Sequence, residues 1–323
     1  MTPRVSVIVT CFELGDTLEE ALASVDDQTF RDFEVLVVDD GSTGSATLAA
    51  LAGIDPARAR VLRTANRGLP AARNHGVRHS RGELLCCLDA DDRLHPEWLA
   101  KAVAAFEHDP GLAFVSHWLR AFGDEEWDWK PTDCGFPALL DVNTVNGAAL
   151  VRRTAWEAVG GQDEALREGC EDWDFWISLV ERGYRGAILP EILFFYRRRS
   201  GSMSRALVGE AHRRLYLQLI ERHPDSFARH LPELWLRRQL DLGRCRRDLD
   251  ALDYEWDSWL AVRLDDRRSE AVAVARLGEA SRRIAELEQA RVVLRHEVEA
   301  LRGSWSWRLT RPLRAVVGAL RGE

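Results

Sequence analysis

Residues 5–42 read VSVIVTCFELGDTLEEALASVDDQTFRDFEVLVVDDGS, and this stretch decides the fold. Val5 to Thr10 and Phe33 to Asp39 are short, β-branched and nearly all apolar, as strands become when both faces of a sheet are covered. Between them, within Thr17 to Gln28, Leu18, Ala21, Leu22 and Val25 recur at i, i+3, i+4 and i+7, the spacing of one helix face. Asp16 followed by Glu19 predicts a capping box at the start of that helix. Strand, helix and strand in this order form a βαβ unit, so a parallel sheet is expected.

The alternation continues toward the C-terminus. Strands are predicted at Arg60 to Arg63, Glu83 to Leu88 and Leu112 to Ser116, and helices around Leu69 to Arg78 and Pro96 to Glu107, where Leu99, Ala102, Val103 and Phe106 make one stripe. An open α/β sheet of this kind binds its ligand at the carboxyl ends of the strands. After about residue 205 the strand signal vanishes, and Ala206 to Ala261 reads as Arg- and Leu-rich helices. From Leu277 a heptad places Leu277, Ile284, Arg291 and Val298 at a, and Ala280, Leu287, Leu294 and Leu301 at d. Two arrangements fit: a coiled coil joining copies of the chain through 277–301, or one long helix packed on the main domain, since Arg291 and Ala280 weaken the seam. Residues 302–323 carry a net charge of +4 and two tryptophans. That composition suits either a peripheral membrane contact through 303–323 or a helical cap on the chain's own surface. The expected organisation is 1–205 as the α/β domain, 206–265 as a helical extension, 266–302 as a long helix, and 303–323 as a basic tail.

Composition narrows the function classes. With 323 residues, 46% of them hydrophobic, the chain can bury a full core. Its net charge of −8 argues against nucleic acid as a partner, because phosphate neutralisation needs a basic face. The charge is uneven: −12 over residues 1–200 and +4 beyond, so the two parts are expected to meet different partners. Six cysteines without a CxxC pair indicate neither a zinc knuckle nor a disulfide framework, and fit a reducing compartment. No apolar run approaches the ~18 residues of a spanning helix, and the N-terminus lacks a signal-peptide layout. A cytoplasmic protein is expected, at most peripheral at the inner face of the cell membrane.

Three acidic clusters carry the chemistry. Asp39-Asp40-Gly41-Ser42 follows a strand, where a carboxylate can accept from a base or ribose; Asp-Gly-Ser is equally a turn composition. Asp89-Ala90-Asp91-Asp92 ends another strand. Its crowded carboxylates repel unless compensated, and their hard oxygens suit Mg²⁺ or Mn²⁺; an acidic turn before the helix at Pro96 is the alternative. Glu171-Asp172-Trp173-Asp174 opens a helix, where acids also serve the dipole.

Taken in order, these motifs with Val5 to Glu13, Gln28-Thr29-Phe30, Asn66-Arg67-Gly68, Ala71-Ala72-Arg73-Asn74, Gly76, Gly82-Glu83 and Pro96 strongly resemble the family 2 glycosyltransferases over about residues 4–204. The resemblance implies the GT-A fold, a Rossmann-like, mostly parallel sheet flanked by helices, here with an all-helical C-terminal extension. It implies an inverting transfer of sugar from a nucleotide-diphosphate sugar, with UDP the family-weighted choice, to a glycan or lipid-linked glycan, assisted by Mg²⁺ or Mn²⁺. By position, Thr10, Phe12 and Glu13 match the first nucleotide loop, Asp40 with Asp39 the acid that reads the base, and Arg73 a segment approaching the nucleotide. Asp89 and Asp91 match the DxD metal signature, with Asp92 able to share it. Asp172 matches the catalytic base, and Glu171 its neighbour. Arg199 stands where many relatives have a metal- or diphosphate-binding His. Arg cannot ligate metal, though it can pair with diphosphate oxygens. Trp118, Trp127, Trp129 and Trp156 fall where the family builds its acceptor side, and Asn146-Gly147-Ala148 resembles the sugar-binding floor. A bacterial surface-polysaccharide enzyme is the first expectation. A non-catalytic scaffold that recruits other transferases through its helical C-terminus is the alternative; a scaffold would not need Asp40, Asp89, Asp91 and Asp172 together.

Overall fold

The computed structural model describes residues 2–199, 209–265, 283 and 285–296. The first compact unit runs from Met1 to Ala228 and contains every strand described. Its first half is the expected alternation: β1 (Val5–Cys11), α1 (Gly15–Asp26), β2 (Phe33–Asp39), α2 (Ser45–Ala52), β3 (Arg60–Arg63), α3 (Leu69–His79) and β4 (Leu84–Asp89). These strands pair in parallel in the order β3-β2-β1-β4. Because Thr10 lies opposite both Val38 and Asp89, and Cys11 opposite Asp39, the three central strands end level. Their last residues therefore crowd one edge.

The second half is mixed rather than parallel. It comprises β5 (Arg93–Leu94), α4 (Trp98–His108), β6 (Leu112–Gly123), β7 (Trp127–Trp129), α5 (Ala138–Asp141), β8 (Leu150–Arg152), α6 (Arg153–Val159), α7 (Glu171–Glu181) and β9 (Arg185–Arg198). The sheet continues from β4 as β8-β6-β9-β5, with β7 on β6. β8 is antiparallel to both β4 and β6, whereas β6 and β9 are parallel. The short β8 thus reverses the sheet beside β4, placing α7 at the same edge as the ends of β1, β2 and β4.

Apolar burial holds these layers. α1 buries Leu18, Ala21, Leu22 and Val25, and α4 buries Leu99, Ala102, Val103 and Phe106 together with Trp98. Each Leu, Val or Phe among them contributes about 1.5–3 kcal/mol when taken fully from water. α3 packs close enough that a Cβ at Gly76 would lie 2.3 Å from Ile8 Cγ2, so only glycine fits. The predicted capping box at Asp16 is not formed. α1 starts at Gly15, two residues before Thr17, Leu14 C=O accepts from Thr17 and Leu18 N–H, and Glu19 pairs with Arg58 at 2.8 Å.

The sequence boundary at 205 falls short of the first unit's end. α8 (Gly209–Arg222) belongs to that unit, and α9 (Pro224–Asp265) begins in it. In the second unit, from Arg229, the described residues are helical; Leu287, Arg291 and Leu294 of the proposed heptad fall within them. The other heptad positions and the tail 303–323 lie outside the described residues. Among the described residues no helix is long and apolar enough to cross a membrane.

Candidate active site

The level strand ends open onto a cleft of about 400 Å³ lined by Thr10, Phe12, Asp40, Asp89, Asp91 and Arg199, among others. Phe12 is 48% exposed, an apolar ring held at the mouth of a polar cleft. Thr10 Oγ1 donates to Asp89 Oδ1 at 2.8 Å. Asp40 is buried and accepts from Arg67 N–H at 2.9 Å and Gly68 N–H at 2.8 Å, tying β2 to the loop before α3. Gly41 makes that approach possible: its φ is +81°, and a Cβ there would lie 2.6 Å from Asn66 N.

Two predicted nucleotide residues do other work. Asp39 is fully buried, and its Oδ1 accepts from Ser42 N–H at 2.9 Å, closing the turn; it does not line the cleft. Glu13 turns its carboxylate to Thr43 N–H at 2.6 Å and Gly44 N–H at 3.1 Å, at the start of α2. The Thr43 and Gly44 amides hold its pKa below the usual range. Both acids satisfy backbone donors of a turn or helix start, the bland reading of an acidic motif.

Each acid of the DxD pair meets a guanidinium. Arg73, 4% exposed, donates through Nη2 to both Asp89 oxygens at 3.0 and 3.1 Å, and through Nη1 to Glu171 Oε1 at 3.0 Å. It therefore joins the acids of β4 and α7 instead of lining the larger cleft. Gly147 leaves it room, since a Cβ there would lie 3.3 Å from Arg73 Nη2. Asn74 locks the loop before α7: its Nδ2 donates to Gln162 C=O at 2.7 Å, and its Oδ1 accepts from Gln162 N–H at 2.9 Å. Asp91 pairs with Arg199 Nε at 2.9 Å. Asp92 is buried, accepts from Arg197 N–H at 2.8 Å, and faces a different cavity from Asp91. Burial, then the Asp91 and Asp89 charges, push its pKa well up.

That second cavity, of about 260 Å³, is lined by Arg73, Asp89, Asp92, Asn146, Gly147, Ala148, Glu171 and Asp172, among others. Leu69, Asp89 and Tyr196 line both cavities, which makes Asp89 the acid they share. Asp172 Oδ1 accepts from Trp173 N–H at 2.7 Å and Oδ2 from Asn143 Nδ2 at 3.2 Å. Burial raises its pKa, against the pull of Arg73. Glu171, buried beside Asp172, is pushed up to about 7. Three thiols face these cavities, Cys11 in the larger and Cys87 and Cys170 in the smaller; burial raises the first to about 11 and the other two to about 12.

The donor set fits a divalent cation shared with a substrate. Asp89 and Asp91 are 30% and 15% exposed and both line the larger cleft, supplying two hard oxygen ligands. Among the described residues no three His, Cys, Asp or Glu side chains converge as a metal cage. One or two carboxylates with the remaining positions left to substrate oxygens is how Mg²⁺-type ions are commonly held.

Of the four tryptophans expected on the acceptor side, Trp156 is buried against Phe175, Trp118 donates to Pro131 C=O, and Trp127 is 41% exposed on the short β7. None of the four lines either cavity. Sequence reasoning missed Asn143, a lone loop residue with no pattern around it, and Arg167 and Tyr196 in the cleft. It also read Asp174 only as part of an acidic helix start.

The profile described as "Glycosyl transferase family 2" matches residues 6–160. The succinoglycan biosynthesis protein ExoO of Rhizobium meliloti is 31% identical over 224 residues, 64% of this chain and 64% of its own length. Among solved structures, S. aureus TarS 1-349 in complex with UDP-GlcNAc aligns with a TM-score of 0.56 at 21% identity, over 68% of this chain and 66% of that one. The mannosyltransferase PcManGT from Pyrobaculum calidifontis, in complex with GDP-Man and Mn²⁺, aligns at 0.58 and 21% identity, over 94% of this chain and 88% of that one. The chain thus spans about two thirds of ExoO and of TarS 1-349.

Proposed function

We propose, on its likeness to the family 2 glycosyltransferases, that the chain moves a sugar from a nucleotide-diphosphate sugar to a hydroxyl of a glycan or lipid-linked glycan, with inversion. One observation carries the reading: Asp89 lines both a cleft with an aromatic and a carboxylate at its rim and a cavity walled by Asp172. The larger cleft takes the nucleotide, Phe12 lying against the base. Asp89 and Asp91 are the residues that would hold Mg²⁺ or Mn²⁺, which when bound neutralises charge on the departing diphosphate. Arg199 offers a second positive group to the same oxygens.

Across Asp89, the smaller cavity takes the transferred sugar on the Asn146 to Ala148 floor. Asp172 receives the acceptor's proton as its oxygen attacks from the face opposite the leaving group. Asn143 and the Trp173 amide orient that carboxylate, and Glu171 is kept in place by Arg73. A single displacement needs no protein nucleophile, so the anomeric configuration inverts.

The name of ExoO supports a surface polysaccharide as product, and the ligands of TarS and PcManGT leave both UDP- and GDP-sugars as donors. Cytoplasmic action with membrane contact through 303–323 belongs to the same proposal; deleting those residues should move the protein from membrane to soluble fractions. The central test is nucleoside diphosphate release from a panel of UDP-, GDP- and dTDP-sugars with Mn²⁺ and lipid-linked glycan acceptors. Release that depends on acceptor, metal and Asp172 is expected. Failure of the whole panel would leave the scaffold reading standing.

A further inference from the structure

The helix that bears Asp172 is gripped from behind by residues outside the span that resembles the family. Asp174, one turn into α7 and buried, pairs bidentately with Arg222, the last residue of α8; the second contact is 3.2 Å. Arg222 also reaches Asp163, in the loop before α7, at 2.7 Å. His223, between α8 and α9, is buried and places Nε2 at 3.0 Å from Asp174 Oδ1 and Nδ1 at 2.9 Å from Glu181 Oε2. One imidazole thereby spans α7 from its first turn to its last residue. Tyr216 of α8 lies against Trp173, the rings tilted at 44° with centroids 5.6 Å apart, and donates to Leu140 C=O at 3.0 Å. Trp173 Nε1 donates to Leu139 C=O at 2.6 Å. α8 therefore pins both α7 and α5, and the chain leaving α5 supplies Asn143, the amide that holds Asp172.

Sequence logic gives this cluster no other use. Three acids in the first turn of one helix repel one another, and Asp174 could have served the dipole exposed to solvent. Instead it is buried, and a buried carboxylate is retained only where it is paired. A fork of two guanidinium bonds fixes orientation as well as charge, and an error of about 1 Å at a reacting group is enough to cost about 10²-fold in rate.

We propose that Arg222 and His223 are positioning residues for the transfer reaction, the α8–α9 corner acting through Asp174 and Glu181 to hold Asp172 at the angle proton removal needs. The inference rests on Asp172 being the base. It makes the corner part of the catalytic unit and assigns it no contact with substrate.

The test uses the full chain carrying Arg222→Ala or His223→Gln, with Arg222→Lys as a milder variant that keeps charge but loses the fork. Hydrogen exchange read by mass spectrometry should rise severalfold across Glu171–Glu181 and stay unchanged in β1 and β4. Calorimetric affinity for UDP or GDP with Mn²⁺ should stay within about twofold, while nucleoside diphosphate release falls about 10-fold. Added to Asp172→Asn, Arg222→Ala should cost nothing more, because the residue it positions is already disabled. Unchanged exchange in α7, or equal loss of nucleotide affinity and turnover, overturns the proposal. Full turnover in Asp172→Asn would instead overturn the base assignment, whatever the corner variants do. If Arg222→Ala does not fold, exchange and turnover in Arg222→Lys decide.

Discussion

Asp89 and Asp91 in the larger cleft and Asp172 in the smaller cavity are carboxylates of one chemical kind held in opposite ways. Asp89 faces the Arg73 fork and Asp91 the Arg199 guanidinium. The hydrogen bonds to Asp172 come instead from neutral donors, the Asn143 amide and the Trp173 N–H. A carboxylate that faces a guanidinium gives up that partner to another cation only at a cost, whereas one held by neutral donors in a buried site accepts a proton more readily. The contrast separates binding of charge from handling of a proton, and Arg73 keeps the two acids at a fixed distance through Glu171.

The sharpest way to break this contrast is Asp172→Asn, which keeps the shape and removes the base. Turnover should fall about 10²-fold or more while donor affinity by calorimetry is retained. Equal loss of both would put Asp172 on the binding side. Next in size is Asp89→Asn, which removes charge from the acid common to both cavities. Nucleoside diphosphate binding should weaken about 10-fold and become less responsive to added Mn²⁺; an unchanged metal titration would contradict the assignment. Arg199→Ala should raise the donor Michaelis constant about 5-fold with little change in turnover at saturation, since the cation would still be held. No change would reduce Arg199 to a partner of Asp91.

The smallest effect sharpens the contrast through pH. Burial alone would lower the pKa of His223, but Asp174 and Glu181 outweigh it and raise it above the ordinary value. Its stabilising contribution is then complete below the unfolded-state pKa and is lost as pH rises through the folded-state one. Asp174 moves the other way: burial opposes the shift, and His223 and Arg222 prevail, so its contribution is lost only as pH falls through its lowered value. Melting temperature should therefore decline as pH rises above the ordinary imidazole value of about 6.5, less steeply in His223→Gln than in the natural sequence. Identical slopes would mean that His223 carries no charge-linked stability.

The same two walls differ in how well the sequence discloses them. β1, β2 and β4 are apolar runs ended by acids, and α1 and α4 are single stripes, so period and punctuation alone locate them. β8 has three residues, too few to show a period, and β9 contains Pro190 and charges at both ends, which disguise a 14-residue strand. Asp172 and Asp89, both picked out by motif position, line one cavity. Motif position could not foresee that Asp39 and Glu13 spend their oxygens on backbone amides, or that Arg73 bridges Asp89 to Glu171, an acid 98 residues further along the chain than the arginine, because such pairings are settled by the register of distant elements. The Asp174, Arg222 and His223 cluster was invisible for the same reason.

The protonated sulfurs of Cys11 and Cys87 have a practical result. Nucleophilic attack on iodoacetamide requires the thiolate, and groups titrating near 11 and 12 supply almost none at neutral pH. Carbamidomethylation should therefore leave the enzyme competent, with little adduct at Cys11, Cys87 or the equally raised Cys170 by peptide mapping, so a fluorescent label could be attached elsewhere without sacrificing the cleft.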